Sequence, residues 1–265
     1  MPSLWLAMAL LAADGGGGLR FEGSVAAGGG YDANLLAAPG GESAGSPVAS
    51  VSAAGGAAFD LSDAAFLYVG AALDGATFPT LPELDRTAAC AEASLVVDLA
   101  RPLALVVSPS ASWSWYADPA RSGASFTARA SLRYRPMSWL ALRLGYAHTL
   151  RTAVDPVYGS NLDRLFTEVE FRLARATWVS VAAFGERGDG TFYRELARTT
   201  ETEATVRTFE PYRAPASTSG VGIGFEQGLG GGFSLDIGAT WHRTITPDGA
   251  FTGPAVSARF VWRWD

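Results

Sequence analysis

Leu103-Ala104-Leu105-Val106-Val107-Ser108-Pro109-Ser110-Ala111-Ser112-Trp113-Ser114-Trp115-Tyr116 decides the fold. With a period of two, Leu103, Leu105, Val107, Ala111, Trp113 and Trp115 share one face. Ala104, Ser108, Ser110, Ser112, Ser114 and Tyr116 take the other. Successive side chains of a pleated strand point to opposite sides, so this stretch reads as a β-strand with one apolar and one hydroxyl-rich face. The same alternation returns on both sides of it, at 19–31, 48–60, 65–73 and 87–99 before it, and at 125–134, 139–150 and 162–173 after it. A run at 178–185 alternates poorly, and three more follow at 220–226, 233–243 and 255–264. Twelve strands are expected.

The connections carry the topology. Short ones at 61–63, 100–102, 135–138, 174–176 and 227–232 interleave with longer ones at 32–47, 74–86, 117–124, 151–161, 186–219 and 244–254. That rhythm predicts an all-β, up-and-down antiparallel barrel with one rim trimmed and the other elaborated. An even strand count places both ends of the barrel on the short-turn side. The barrel is expected to occupy 14–265.

Composition narrows the function classes. The net charge of −6, with 20 basic residues scattered among 26 acidic ones, argues against nucleic acid. Cys90 is the single cysteine, which excludes an internal disulfide and a cysteine metal cluster. No apolar run is long enough for a membrane-spanning helix. Residues 4–13, Leu-Trp-Leu-Ala-Met-Ala-Leu-Leu-Ala-Ala, have the length of a signal-peptide core. A cleaved signal over 1–13 is therefore expected, although the first basic residue is Arg20 and the usual positive flank is missing.

Alternation alone does not say which face meets water. Aromatic residues gather at the ends of the apolar faces: Tyr134, Trp139, Phe171, Trp178, Phe225, Phe233, Trp262 and Trp264 near the short turns. Trp113, Trp115, Phe126, Tyr146 and Trp241 lie near the long connections. Two such belts are expected where amphipathic rings sit at headgroup level. Between them the apolar face is Ala, Val and Leu, a thin wall suited to lipid and poor filling for a soluble core. Strands of ~10 residues tilted by ~45° cross a bilayer. The expected architecture is therefore a transmembrane β-barrel with apolar residues outside and charges inside.

On these residues the chain resembles the outer-membrane β-barrel proteins of Gram-negative bacteria. Its end, Ala255-Val256-Ser257-Ala258-Arg259-Phe260-Val261-Trp262-Arg263-Trp264, is similar to the carboxy-terminal signal read by the barrel-assembly machinery, with Asp265 following the usual terminal aromatic. Gly30-Tyr31-Asp32-Ala33-Asn34 resembles a Gly-Tyr-Asp-Ser-Asn stretch in several barrel families, surface-lipoprotein assembly modifiers among them. The resemblance implies a bacterial outer-membrane location, contact with outer-membrane lipid and lipopolysaccharide, and insertion by the barrel-assembly machinery.

Catalytic machinery is not expected. Barrel hydrolases need a serine two residues beyond a histidine, but His148 is followed by Thr149 and Leu150. Asn161 across the hairpin would supply an orienter without a nucleophile. His242 and Asp236 share a face but lack the acidic pair of a barrel protease, and two histidines on separate strands are no metal site. No cofactor is implied, and Cys90 reads as inward-facing filling.

What remains is the lumen. Arg129, Arg133, Arg143, Glu168, Glu170, Arg172, Glu92 and Asp98 fall on the polar faces. Arginines facing glutamates would set a transverse field that orients small solutes. The alternative is a barrel whose charges pair and fill the interior, because unpaired buried charge is costly. The segment 186–219, with Phe192, Tyr193, Arg194, Arg207 and Tyr212, is the candidate plug or binding loop. The expected function is thus a narrow pore for small solutes, or else a non-conducting barrel that binds a partner through its loops.

Overall fold

Twelve antiparallel strands close on themselves in sequence order, so every strand is hydrogen-bonded to its neighbours in the chain and the last pairs with the first. The computed structural model describes residues 19–33, 45–201 and 204–264, and the side chains of all of these except 194–201 and 204–209. The expected signal segment, 1–13, lies outside the described residues. The strands are β1 (Leu19–Asp32), β2 (Ser46–Ser62), β3 (Ala65–Thr77), β4 (Arg86–Ala100), β5 (Leu103–Tyr116) and β6 (Gly123–Met137). They continue as β7 (Leu140–Arg151), β8 (Ser160–Ala174), β9 (Thr177–Glu201), β10 (Ala204–Gly230), β11 (Phe233–Thr246) and β12 (Gly249–Trp264). Closure runs from Gly23 opposite Trp264 to Asp32 opposite Ala255. A closed ladder leaves no strand edge, which is the condition for a sheet to sit in hydrocarbon.

The faces are inverted relative to a water-soluble barrel. Phe21, Leu144, Leu165 and Phe260 are between 61% and 67% exposed, whereas Arg133, Arg143 and Asp236 are 7–8% exposed. Exposed Val, Leu, Ile and aromatic side chains continue around all twelve strands. Soluble monomers rarely show contiguous apolar patches above a few hundred Å². A continuous apolar girdle of this kind is satisfied by lipid, so the apolar face meets the bilayer and the charged face lines the interior. Exposed Trp and Tyr mark both rims, with Trp139, Trp262 and Trp264 near the short turns and Trp113, Trp115 and Trp241 near the opposite end.

The turns on the trimmed rim are tight, and the one between β10 and β11 shows why. Gly230, Gly231 and Gly232 take φ values of 93°, 60° and 81°, a region in which a side chain would clash with its own backbone.

Three expectations are corrected. Segment 186–219 is not a loop: β9 and β10 run on as a paired hairpin, with Glu186 opposite Thr218, Phe192 opposite Tyr212 and Arg198 opposite Arg207. Likewise 244–254 is mostly strand, with Thr246 opposite Gly249 across a tight turn. Beyond the bilayer neither face of a hairpin must be apolar, so the period-two signal fades while the backbone pairing continues. Trp178 does not join the lipid-facing belt. Its register with Arg172 and Glu226 turns it inward, where the Arg172 guanidinium lies 5.3 Å from its ring centroid.

Candidate functional site

The interior face contains every charged residue singled out from the alternation. Arg129 and Arg133 project from β6, Arg143 from β7, and Glu168, Glu170 and Arg172 from β8, while Glu92 and Asp98 project from β4. The expected arginine wall facing a separate glutamate wall is not what forms. β7 and β8 are neighbours, so Arg143 and Glu168 sit directly opposite in the ladder and pair at 2.9 Å, with Glu170 3.8 Å away on the other guanidinium nitrogen. Acid and base meet on one wall because adjacent strands carry them at matching register.

Further round the inner wall stands a second charged group, which the sequence reading did not single out. Arg263 on β12 reaches Glu226 of β10 at 3.1 Å and Asp236 of β11 at 3.8 Å, and Arg259 reaches Asp236 at 3.6 Å. Ser234 also accepts a 2.7 Å hydrogen bond from Arg263. The signal for this group lies in the sequence: Glu226, Asp236, Arg259 and Arg263 all occupy the polar phase of their strands.

Large inward-facing rings lie flat on the wall. Phe166 covers Gly145 on the next strand, and a Cβ added at Gly145 would come within 2.4 Å of the ring. Phe184 covers Gly220 in the same way, at 2.6 Å. Here glycine supplies room for a neighbouring ring, which keeps the aromatic out of the centre of the barrel. Arg129 sits 5.4 Å from the Phe166 centroid and Arg164 sits 4.0 Å from that of Phe184.

Inward-facing residues differ in exposure. Ser94, Val96, Val106, Ser131 and Val261, toward the short turns, are fully buried. Ser110, Ser112, Gly222 and Thr240, further along, are partly exposed although they face inward. Exposure of an inward-facing residue is exposure to interior space, so part of the inner face borders unfilled volume.

The other end is closed in by loops of one design. Asp118-Pro119-Ala120-Arg121 and Asp155-Pro156-Val157-Tyr158 each form a 3-10 turn, whose Asp side chain accepts from the amide two residues on, at 3.1 and 2.9 Å. Pro82–Leu84 forms a third such turn without the Asp. Asp before Pro is a legible turn signal, because Asp caps the first amides and Pro presets φ. Backbone bonds then tie each loop to the next, Ala117 to Asp85 at 2.8 Å and Asp155 to Ala120 at 2.9 Å. Arg121 is the hub. It pairs with Asp118 at 3.2 Å, donates to the Tyr193 hydroxyl, and lies 4.6 and 5.3 Å from the Tyr158 and Tyr193 centroids. Burial pushes the Tyr158 hydroxyl pKa up, against the pull of Arg121, so the ring stays neutral beneath the cation.

The aromatic residues expected on a plug are packed here. Tyr193 is buried with Leu84, and Phe192 with Ala214 and Phe251, Tyr212 lying against that second cluster. The side chains of Arg194 and Arg207 lie outside those described.

The comparisons agree with this architecture. An outer membrane channel from Pseudomonas putida F1 superposes with a TM-score of 0.62 at 10% identity, covering 94% of this chain and 96% of that one. KdgM porin gives 0.52 at 6% identity, covering 91% and 99%. A mutant of the TodX monoaromatic hydrocarbon channel gives 0.51 at 9% identity, covering 94% and 90%. The fold is that of outer-membrane β-barrels. No protein-family model matches the chain, and no curated protein matches it.

The histidines of this outer-membrane barrel stand apart. His148 faces outward, and the residue beside it is Asp163 rather than Asn161, at 2.9 Å. Tyr146 donates to the same carboxylate. His242 faces inward and its ring covers Gly253. Among the described residues no group of three or more His, Cys, Asp or Glu converges as a metal site.

Proposed function

We propose that this chain is a narrow outer-membrane channel for small hydrophilic solutes. The observation that carries the reading is the inverted barrel with partly exposed residues on its inner face, Ser110, Ser112 and Thr240 among them. A barrel packed solid would bury them. Hydroxyl and charged groups along that face suit water-soluble cargo, and the rings laid on Gly145 and Gly220 keep the middle clear. The same reading includes export through a leader at 1–13, insertion by the barrel-assembly machinery, and an outer wall against lipid and lipopolysaccharide. No catalytic role is assigned. His148 and Asp163 form a base and an orienter with no serine in the position the hydrolase chemistry needs.

Purified, folded protein in planar bilayers is expected to give discrete, uniform conductance steps. Folding is verified independently by heat-modifiable gel mobility. Folded protein that gives no steps would overturn the channel reading. That outcome would favour the second reading, a closed barrel that binds a partner at its mouth, for which the Arg121–Tyr158–Tyr193 hub is the supporting observation.

A further inference from the structure

We infer that β6 carries an oxyanion-binding station inside the lumen, formed by Arg133 and Arg129, and that the favoured solutes are small carboxylates and phosphates. This inference rests on the channel reading and names its cargo.

On β10 to β12, Arg259 and Arg263 share Glu226 and Asp236, two cations with two anions. On β7 and β8, Arg143 takes both Glu168 and Glu170. That leaves the arginines of β6. Arg133 is 8% exposed, and its Nε and one Nη find no hydrogen-bond partner. Arg129 makes no ion pair among the described residues and rests against the Phe166 ring instead. A guanidinium held from water with its nearest acids beyond ion-pair distance, Asp98 and Glu170 for Arg133 and Glu92 and Glu168 for Arg129, is incompletely compensated, and that deficit is relieved when an oxyanion arrives. Planar guanidinium matches carboxylate and phosphate through two parallel hydrogen bonds, which a halide ion cannot use.

The surroundings suit such cargo. Ser131 lies between the two arginines on the same face of β6, Ser108 sits opposite Arg129 on β5, and Thr127 continues the row beyond it. Hydroxyls of this kind replace part of a solute's hydration as it passes. Arg129 and Arg133 are four residues apart on one strand face, about 13 Å at the usual strand rise. That is too far to chelate one small anion and suits transfer from one guanidinium to the next.

The test uses wild type and Arg129→Gln/Arg133→Gln in planar bilayers under a potassium chloride gradient. Wild type should prefer anions, and the double variant should lose that preference by about threefold or more. Succinate and inorganic phosphate, added separately, should each reduce wild-type current and leave the variant unaffected, while glucose affects neither. A block by succinate alone assigns the station to carboxylates, and a block by phosphate alone assigns it to phosphates. Equal ion selectivity in the two proteins, both conducting, would overturn the inference and leave the channel reading standing. Calorimetric titration of phosphate and succinate into the folded barrel in micelles reads binding without conduction. Binding there that disappears in the double variant supports the station even if no current flows, and no binding overturns it.

Discussion

The two charged walls of the lumen are built from the same residue types and come out differently. Across β10 to β12, two arginines meet two carboxylates and the group is complete. Across β6 to β8, the inward arginines Arg129, Arg133, Arg143, Arg164 and Arg172 share a face with Glu168 and Glu170. Only Arg143 is ion-paired to that wall's own acids among the described residues. The balanced wall fixes register between the final strands, and the unbalanced wall keeps cation to spare. Paired charge holds the barrel together, and the proposed station draws on the charge left over.

Breaking the paired charges should have the largest effects. Arg143→Ala strands two largely buried carboxylates, and is expected to destabilise the barrel by about 3 kcal/mol. Urea unfolding in lipid vesicles, followed by gel mobility, reads this as a lower midpoint. An unchanged midpoint would mean that Glu168 and Glu170 are hydrated without it. Arg263→Ala removes a cation from Glu226 and Asp236 but leaves Arg259 beside Asp236, so a smaller loss of about 2 kcal/mol is expected.

The surplus arginine sharpens the contrast, because its replacement should act in the opposite direction. Arg133→Met removes a buried guanidinium that lacks partners for two of its nitrogens, and should raise the same midpoint by roughly 1 kcal/mol. A drop as large as that of Arg143→Ala would place Arg133 with the structural pairs. Outside both walls, Arg121→Ala removes a cation between two tyrosines at the mouth and should loosen the hairpin locally by roughly 1 kcal/mol. Hydrogen exchange should then quicken in β9 and β10 beyond Glu186, with little change in the membrane-spanning part of β7.

Much of this was legible in the chain. Period-two alternation placed Arg129, Arg133 and Arg143 inside, because within the bilayer each face has a single solvent and each side chain must match it. The pairing of Arg143 with Glu168 was not legible, since it depends on cross-strand register and a shift of a few residues would separate them. Trp178 was misplaced for a related reason: β9 alternates poorly, and the Arg172 guanidinium gives an inward tryptophan a partner. The long hairpin was also hidden, because above the membrane no lipid enforces the pattern. The capped turns at Asp118 and Asp155 were open to reading from Asp-Pro alone.

The channel reading requires a water-filled path between the two charged walls. Liposomes reconstituted with the folded protein and placed in isotonic solutes of graded size test it most directly. Rapid swelling is expected with small sugars and amino acids and none with long polyethylene glycols, the rate falling steadily with solute size. Liposomes that contain heat-modifiable, folded barrel and swell no faster than protein-free controls with the smallest solutes would contradict it.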